Sequence, residues 1–294
     1  MVGIVLAGGT GSRLWPITKS INKHLLPIFD KPMVFYPISV LMFAGIKDIL
    51  LITNSEDLPL FQQLLSDGSS WGIQISYEIQ EKPVGIAQAF LIGETFIGGD
   101  NVVLILGDNI FYGNGLIDKL DQGINNLKLG FSSIYAYRVE DPQRFGVVEF
   151  DVNDNVHSIE EKPDLPKSNY AVTGLYFYTK DVVQLAKELK PSKRGEFEIT
   201  DLNRLYLNQG LLKCITLGRG FAWLDTGTND SLLDAASFIS TIENRQGYKI
   251  SVPEEIAFRK GWITSHQLES VANSYGHSSY GKYLLKLVDE HDKK

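Results

Sequence analysis

The chain has 294 residues, 44% of them hydrophobic and 21% charged, and its formal net charge is −7 at pH 7. This length and composition suit one large α/β domain, or a domain with an appendage, and allow a substantial hydrophobic core. The acidic balance argues against a nucleic-acid partner, because a nucleic-acid binder usually carries a basic stripe.

Cysteine content and hydropathy set further limits. Cys214 is the only cysteine, so an intrachain disulfide and a thiol-rich metal site are excluded. The apolar N-terminus has no basic region and reaches glycines after a few residues, which is typical of a buried strand and not of a signal peptide. No apolar run approaches the roughly 20 residues that span a bilayer. We therefore expect a soluble, cytoplasmic protein with no membrane partner.

Short apolar runs alternate with segments of helical spacing along most of the chain. Continuous apolar runs are typical of parallel strands that are buried on both faces. The runs are residues 2–7, 49–53, 102–106, 133–137, 174–178 and 221–224. Their alternation with helices predicts a doubly wound α/β fold with a mostly parallel sheet. Such sheets bind ligands at the carboxyl ends of their strands.

The first run leads into a glycine-rich turn at residues 8–14 (GGTGSRL), and Lys23 follows. Glycines after a first strand let backbone N–H groups approach an anion closely. Arg13 suits two phosphate oxygens at once, and Lys23 adds a mobile point charge. Leu14 stands where a dinucleotide-binding motif needs a third glycine, and no P-loop Gly-Lys-Ser/Thr is present. An ordinary strand-to-helix turn is the alternative, but the two cations favour phosphate binding.

Two aspartates each follow an apolar run. Asp108 comes after run 102–106, and Asp225 comes after run 221–224. A carboxylate at the carboxyl end of a strand is well placed for Mg²⁺, which favours one or two carboxylates together with substrate phosphates. Either aspartate alone is more often structural, and Asp225 has the alternative of capping the next helix. Their equivalent positions favour a shared metal site.

Residues 146–150 and 156–159 predict a β-hairpin, because Asn153, Asp154 and Asn155 between them tolerate a left-handed turn. Glu161 and Lys162 close this hairpin. A solvated charge cluster is the ordinary interpretation of such a pair. The functional alternative places Glu161 on sugar hydroxyls and Lys162 on a sugar phosphate.

The chain from about residue 246 onward is predicted to be mostly helical. Thr264 and Gln267 form a capping box, and Ile263 and Leu268 have the spacing of a hydrophobic staple. We therefore divide the chain into an α/β core at residues 1–245 and a helical appendage at residues 246–294, which we expect to serve assembly or regulation.

Residues 6–16 together with 23–27 resemble the signature of the sugar nucleotidyltransferases, and more narrowly that of the glucose-1-phosphate thymidylyltransferases. The resemblance covers nearly the whole chain. Further matching segments are residues 86–89, 106–109, 144–148, 160–163, 170–174, 195–201 and 223–227. Residues 243–247 and 253–257 resemble the long form of the family, which is typically a homotetramer. His24 and Phe145 depart from the frequent Gln and Tyr of the family.

The resemblance implies a role for residues along the whole chain. The residues implied to hold the nucleotide are Gly8, Gly9, Gly11, Ser12, Arg13, Lys23, His24 and Asp108, with Gln80, Pro83 and Gly85 against its base. Those implied to hold the sugar phosphate are Asn109, Phe145, Gly146, Glu161, Lys162, Val172 and Trp223. Asp108 and Asp225 would hold Mg²⁺. The implied catalytic set is Arg13, Lys23, Lys162, Asp108 and Asp225. A separate inhibitory site is implied at Arg219, Glu255, Ile256 and Arg259.

The implied activity transfers a thymidylyl group from dTTP to glucose 1-phosphate, giving dTDP-glucose for deoxysugar pathways and releasing pyrophosphate. Two alternatives keep the fold: the same chemistry with UTP or another hexose 1-phosphate, and a catalytically silent subunit that senses sugar nucleotides. A glycosyltransferase is a third alternative. That class commonly holds its metal with an Asp-x-Asp pair, whereas Asp108-Asn109-Ile110 offers one acid.

Overall fold

The computed structural model describes residues 1–293, and it has thirteen strands and eleven α-helices within them. The strands are β1 (Val2–Leu6), β2 (Pro27–Ile28), β3 (Lys31–Pro32), β4 (Asp48–Thr53), β5 (Gln74–Ile79), β6 (Val102–Leu106), β7 (Asn109–Gly113), β8 (Ser132–Arg138), β9 (Gly146–Phe150), β10 (Val156–Glu161), β11 (Tyr170–Tyr178), β12 (Leu212–Leu217) and β13 (Phe221–Asp225). The helices are α1 (Phe35–Phe43), α2 (Leu58–Leu65), α3 (Gln88–Ile92), α4 (Glu94–Ile97), α5 (Leu116–Lys128), α6 (Val182–Glu188), α7 (Ile199–Asn208), α8 (Asn229–Gln246), α9 (Pro253–Arg259), α10 (Ser265–Ser274) and α11 (Ser279–Asp292). Short 3₁₀ helices cover Ser12–Leu14, Ile17–Lys19, Lys23–Leu25, Ser69–Trp71 and Pro142–Arg144.

One large sheet contains nine of these strands. Its neighbours run in the order β10-β9-β11-β6-β1-β4-β5, and β8 and β12 extend it from β11. Strands β6, β1, β4 and β5 pair in parallel, as do β8 and β12. The α/β fold class with a parallel central sheet is therefore confirmed.

Two of the apolar runs differ from the prediction of parallel strands. Residues 174–178 belong to β11, which is antiparallel to β6 and β8. Residues 221–224 lie outside the large sheet, in β13, which pairs antiparallel with β7 as a separate two-stranded ribbon. A continuous apolar run indicates burial, but it does not say which strand lies beside it or in which direction.

The predicted hairpin is present. Strands β9 and β10 pair antiparallel, and Asp154 in the turn between them has a φ of 61°. Asp tolerates this left-handed conformation better than most side chains do. The hairpin forms one edge of the large sheet, and its closing residues point back toward the carboxyl ends of the central strands.

Side chains bury both faces of the parallel strands. Val5, Val103 and Ile105 pack into one apolar cluster with α1, whereas Ile4 and Leu104 pack into a second cluster on the opposite face. Alternation along each strand sends successive side chains to opposite faces. Helices on both faces therefore leave the strand ends as the accessible part of the sheet.

The C-terminal segment is helical, as predicted. Thr264 Oγ1 accepts the backbone N–H of Gln267 at 3.2 Å, and Gln267 Oε1 accepts that of Thr264 at 2.8 Å, which completes the capping box. Ile263 and Leu268 are buried. Helix α9 packs on α1 of the core. Among the described residues, none of the helices combines the length and hydropathy of a membrane span.

Candidate active site

A cavity of about 610 Å³ opens at the carboxyl ends of β1 and β6. Residues from distant parts of the sequence line it, and most of the predicted site residues are among them. These are Gly8, Gly9, Arg13, Gln80, Pro83, Gly85, Asp108, Asn109, Phe145, Gly146, Glu161, Lys162, Val172, Trp223 and Asp225. A smaller cavity of about 120 Å³ shares Gly8, Gly9 and Arg13 and is also lined by Gly11, Ser12 and Lys23.

The glycine-rich turn forms one end of the cavity. Gly11 has a φ of 58°, and its carbonyl accepts the hydroxyl of Thr18 at 2.7 Å, which fixes the start of the 3₁₀ helix. The Arg13 guanidinium lies against Gly227, where a Cβ atom would stand 2.9 Å from Nη2. Gly227 follows β13, so Arg13 connects the glycine turn with the strand that carries Asp225.

The two aspartates lie side by side. In the β7–β13 ribbon Asp225 pairs with Asn109, the residue after Asp108. Thr226 fastens this arrangement, because its hydroxyl and its backbone N–H both donate to the Asp108 carbonyl, at 2.9 and 3.2 Å. Lys23 forms an ion pair with Asp108. The proximity that the sequence predicted for the two carboxylates is thus present in the fold.

The charges at the two aspartates are compensated unequally. Burial, the largest single cause, works to raise the pKa of Asp108, but the charge and hydrogen bond of Lys23, together with His24 and the hydrogen bond from Asn109, hold that pKa below its usual range. Burial and the neighbouring Asp108 raise the pKa of Asp225, although Lys23, Arg13 and Arg144 act in the opposite direction. Arg144 Nη2 lies 3.8 Å from Asp225. A cation between the two carboxylates would relieve their mutual repulsion.

This donor set fits a divalent metal that also binds substrate. Within residues 1–293 there is no cluster of three or more His, Cys, Asp or Glu side chains with metal-binding geometry. The two adjacent carboxylates therefore leave most of a metal's coordination positions to other ligands. Hard cations that bind phosphates commonly use one or two carboxylates in this way.

His24 lies behind the cavity wall and not on it. Its Nδ1 is 2.7 Å from Asn22 Oδ1, and its ring packs against Gly107. Burial, with the Lys23 charge as the second cause, lowers the pKa of His24 to about 3, so the ring is neutral at pH 7. The structure does not bring this predicted nucleotide contact to the cavity. Instead, the His24 ring packs against the backbone at Gly107, the residue before Asp108.

The hairpin forms the opposite end of the cavity. Lys162 has a φ of 44°, a strained conformation for a residue with a side chain, and its N–H donates to the Phe145 carbonyl at 2.9 Å. Glu161 accepts the Thr200 hydroxyl at 2.5 Å. Phe145 packs edge to face on Trp223 with ring centroids 5.0 Å apart. Backbone strain at Lys162 is thus located where the chain leaves β10 for the cavity.

Asn109 and Trp223 are tied to each other as well as to the cavity. Asn109 Oδ1 accepts the Trp223 indole N–H at 2.6 Å and the Gly174 backbone N–H at 2.9 Å. Its Nδ2 donates to Asp108 Oδ1 at 2.9 Å. Asn109 therefore holds one oxygen of Asp108 while Lys23 holds the other. This makes it a support for Asp108 in addition to any contact with a ligand.

Charged and polar residues at the hairpin end of the cavity were not predicted from the sequence, among them Arg194, Glu198 and Thr200. The Arg194 guanidinium donates to both carboxylate oxygens of Glu198, at 2.9 and 2.8 Å, and lies 3.5 Å from Glu161. Thr200 donates to Glu161, as described above. The only indication in the sequence was the density of charged residues at 194–198, which is also ordinary for a surface loop.

The residues predicted for a second, inhibitory site lie away from the cavity. Glu255, Ile256 and Arg259 are on α9, where Arg259 Nε donates to Glu255 at 2.6 Å and Ile256 is buried. Arg219 lies in the exposed turn between β12 and β13. Within the described chain no hydrogen bond or ion pair joins Arg219 to the three residues of α9.

The fold and the cavity define a class of nucleotide-binding transferase, and comparison with known proteins agrees. The nucleotidyl transferase family model matches residues 2–242. The chain therefore belongs to the nucleotidyl transferase family and is an enzyme of that class.

Individual proteins that resemble the chain are more specific than the family model. The chain is 57% identical over 288 residues to a glucose-1-phosphate thymidylyltransferase of Neisseria gonorrhoeae, covering 98% of this chain and 99% of that protein. A Bacillus anthracis protein, provisionally assigned the same activity and crystallised with sucrose, has a TM-score of 0.75 and 44% identity, with 81% and 94% of the chains covered. A UDP-glucose pyrophosphorylase bound to UDP-glucose has a TM-score of 0.72 and 25% identity, covering 82% of this chain and all of that one.

Proposed function

We propose that this protein transfers the thymidylyl group of dTTP to glucose 1-phosphate, giving dTDP-glucose and pyrophosphate. One observation carries the proposal. The glycine turn with Arg13, the two adjacent aspartates, and the hairpin with Lys162 all meet at one cavity. The full-length similarity to glucose-1-phosphate thymidylyltransferases supplies the identity of the two substrates.

The attack does not need a general base. The second pKa of a phosphate monoester is about 6, so the attacking oxygen of the sugar phosphate is already ionised at neutral pH. Consistent with this, His24 does not line the cavity. The barrier comes from bringing two polyanions together. Arg13 and Lys23 at one end, and Lys162 and Arg194 at the other, neutralise charge and orient the reactants for in-line attack.

We propose Mg²⁺ as the divalent metal, held by Asp108 and Asp225. When bound, the ion polarises phosphate oxygens and offsets their developing charge. The chain's own contribution is positional. Asn109 and Thr226 fix Asp108, the β7–β13 pairing sets Asp225 beside it, and Lys23 forms an ion pair with Asp108.

A coupled assay of pyrophosphate release tests the function. Purified enzyme with Mg²⁺ is given dTTP or UTP against glucose 1-phosphate, and then dTTP against other hexose 1-phosphates. We expect the highest kcat/KM with dTTP and glucose 1-phosphate. A preference for UTP would favour the rival within the same family, whereas nucleotide binding without pyrophosphate release would favour a silent sensing subunit.

We also propose a homotetramer in which the helical segment at residues 246–294 contributes to contacts between subunits. The resemblance of residues 243–247 and 253–257 to the long form of the family supports this proposal. Arg219 and the α9 residues Glu255, Ile256 and Arg259 are proposed as a regulatory site on the same grounds. Size-exclusion chromatography with light scattering tests the assembly, and inhibition by the pathway's end product tests the site.

A further inference from the structure

Gln80 stands in the cavity wall with its side-chain amide close to the glycine turn. It is 4% exposed, and its backbone N–H donates to the Thr53 carbonyl at 2.7 Å. Its Oε1 lies against Gly8, where a Cβ atom would be only 2.4 Å away. The amide therefore presents one of its two ends to the cavity, and which end it presents decides what it can bind.

Gln88, in the first turn of α3, fixes that orientation. Gln80 Nε2 donates to Gln88 Oε1 at 2.8 Å, and the Val84 backbone N–H donates to the same oxygen at 3.3 Å. A backbone N–H can only donate, so Gln88 must present its oxygen. Gln80 must then present its nitrogen to Gln88. The oxygen of Gln80 is left facing the cavity, and no donor within residues 1–293 is bonded to it.

The Val84 backbone N–H, which fixes the orientation of Gln88, belongs to a loop that is itself held by backbone hydrogen bonds. The Phe197 N–H donates to the Val84 carbonyl at 2.7 Å, and the Phe197 carbonyl accepts the Ala87 N–H at 3.2 Å. Gly85 allows the close approach, because a Cβ atom there would lie 2.4 Å from the Phe197 carbonyl oxygen. The loop before α3 is thus pinned at the Val84 carbonyl and at Ala87. A turned-over Gln88 amide would set its NH₂ group against the Val84 N–H, a donor that cannot turn.

We propose that Gln88 is a specificity-determining positioning residue, which holds Gln80 Oε1 as an acceptor for the N3–H of a 2,4-dioxopyrimidine base. This rests on the proposed function and on the resemblance described above, which implies that the base lies against Gln80. Thymine and uracil carry a proton on N3, whereas N3 of cytosine is an acceptor. Two acceptors facing each other leave both unpaired, and an unpaired buried polar group is penalised more than a hydrogen bond is worth. A turned amide on Gln80 would remove this discrimination.

Two substitutions of Gln88 separate orientation from structure. Gln88→Met keeps the length and a high helix propensity but loses the acceptor, so Gln80 becomes free to turn its NH₂ group to the cavity. Gln88→Glu keeps an acceptor for both Gln80 and Val84. The measurement is kcat/KM for dTTP, UTP and dCTP with glucose 1-phosphate, with thermal unfolding as the check on folding. Gln88→Leu, similar in size, replaces Gln88→Met if that variant does not fold.

We expect Gln88→Met to raise the dCTP-to-dTTP ratio of kcat/KM by about tenfold or more. The UTP-to-dTTP ratio should stay unchanged, because both bases present the same imide, and Gln88→Glu should keep the wild-type dCTP ratio. Equal losses with all three nucleotides in Gln88→Met would overturn the inference, as would a changed dCTP ratio in Gln88→Glu. The wild-type enzyme alone tests the proposed function, since absence of turnover with dTTP would refute that function without reference to Gln88.

Discussion

Asp225 is a residue at which function and stability oppose each other. Its carboxylate is partly buried beside Asp108, and burial together with that neighbour raises its pKa. An ionised group in such a place destabilises the folded state when no metal is bound. Sites of this kind are where activity is maintained at the expense of stability.

We therefore predict that Asp225→Asn lowers kcat by roughly 100-fold or more, because the proposed metal ligand is lost, while the melting temperature stays unchanged or rises. Steady-state kinetics and thermal unfolding without metal check the two parts. Asp48→Asn, which changes an exposed carboxylate at the start of β4, the end of that strand away from the cavity, is the control and should alter neither. A clear fall in melting temperature for Asp225→Asn would contradict the assignment of strain to this carboxylate.

Gly227 gives a prediction about Arg13. A Cβ atom at residue 227 would meet the end of the Arg13 side chain at 2.9 Å, and a flexible guanidinium yields more readily than backbone does. Gly227→Ala should therefore fold normally but displace Arg13, lowering kcat/KM for dTTP by about tenfold. Gly218→Ala is the control, because a Cβ atom there meets nothing within 4 Å. Kinetics unchanged in Gly227→Ala would show that Arg13 does not act from this position.

At the same scale, residue type and position predicted that Asp108 and Asp225 lie close together. The expected reason, strand ends meeting at one edge of a sheet, is wrong, because the β7–β13 ribbon brings the two residues together. Such reasoning could not predict which residues a given side chain contacts. Gln88 and Arg194 act through contacts with residues 4 to 33 positions away along the chain. Nothing in local spacing distinguishes these two from a surface helix residue and a surface loop residue.

At the scale of elements, the hairpin could be predicted because its turn chemistry is local, whereas the β7–β13 ribbon could not. β7 begins directly after Asp108, and β13 is more than a hundred residues later in the chain. Their pairing brings Asp225 to Asp108, yet it is determined by tertiary packing. The prediction thus set Asp225 near Asp108, where it lies, but assigned the wrong neighbours to its strand.

Helix α9 is anchored by a buried carboxylate. Glu254 is fully buried and accepts hydrogen bonds from Trp71 Nε1 at 3.1 Å, the Tyr275 hydroxyl at 2.8 Å and the Tyr280 hydroxyl at 2.7 Å. Burial raises the pKa of Glu254 above its usual 4.5 in spite of these donors. One side chain therefore joins α9, α10 and α11 to the core at Trp71.

We predict that Glu254→Ala destabilises the protein strongly, whereas Glu254→Gln does not. Glu254→Ala leaves three buried donors unpaired and should cost about 3 kcal/mol of unfolding free energy or more. Glu254→Gln keeps an acceptor for Trp71 and Tyr275, and the Tyr280 hydroxyl can rotate to accept from the new amide. Urea unfolding at pH 7 measures both, and equal losses for the two variants would show that the charge itself is required.

The stability of Glu254→Gln relative to wild type should also depend on pH. A raised pKa means that the folded protein holds this proton more tightly than the unfolded chain does. Wild-type stability contributed by Glu254 is therefore present below pH 4.5 and is lost as pH rises through the raised pKa. The glutamine does not titrate, so its advantage should grow as pH rises above 4.5 and level off once pH exceeds the raised pKa. An advantage that is constant across this range would contradict the raised pKa.

At the scale of the whole molecule, an acidic protein concentrates cations at one cavity. The net charge is −7, yet Arg13, Lys23, Lys162 and Arg194 lie at or beside the same opening. A distant field does not gather the substrates, so contacts within the cavity must supply the binding energy. The two ends of the cavity are built from different elements, the glycine turn after β1 and the hairpin of β9 and β10, and they should therefore respond separately to ligands.

This separation gives the last prediction. A ligand at about 100 times its dissociation constant stabilises a protein by about 2.7 kcal/mol, which for a chain of this size is a rise in melting temperature of roughly 4 °C. Under the proposed function we expect dTTP to reach only the glycine-turn end and dTDP-glucose to span both ends. Arg13→Ala should reduce the shift produced by either ligand. Lys162→Met should leave the dTTP shift intact and reduce only the dTDP-glucose shift, because it removes a cation at the hairpin end. Thermal unfolding with each ligand distinguishes these patterns, and a Lys162→Met variant that loses both shifts would mean that the two ends do not bind independently.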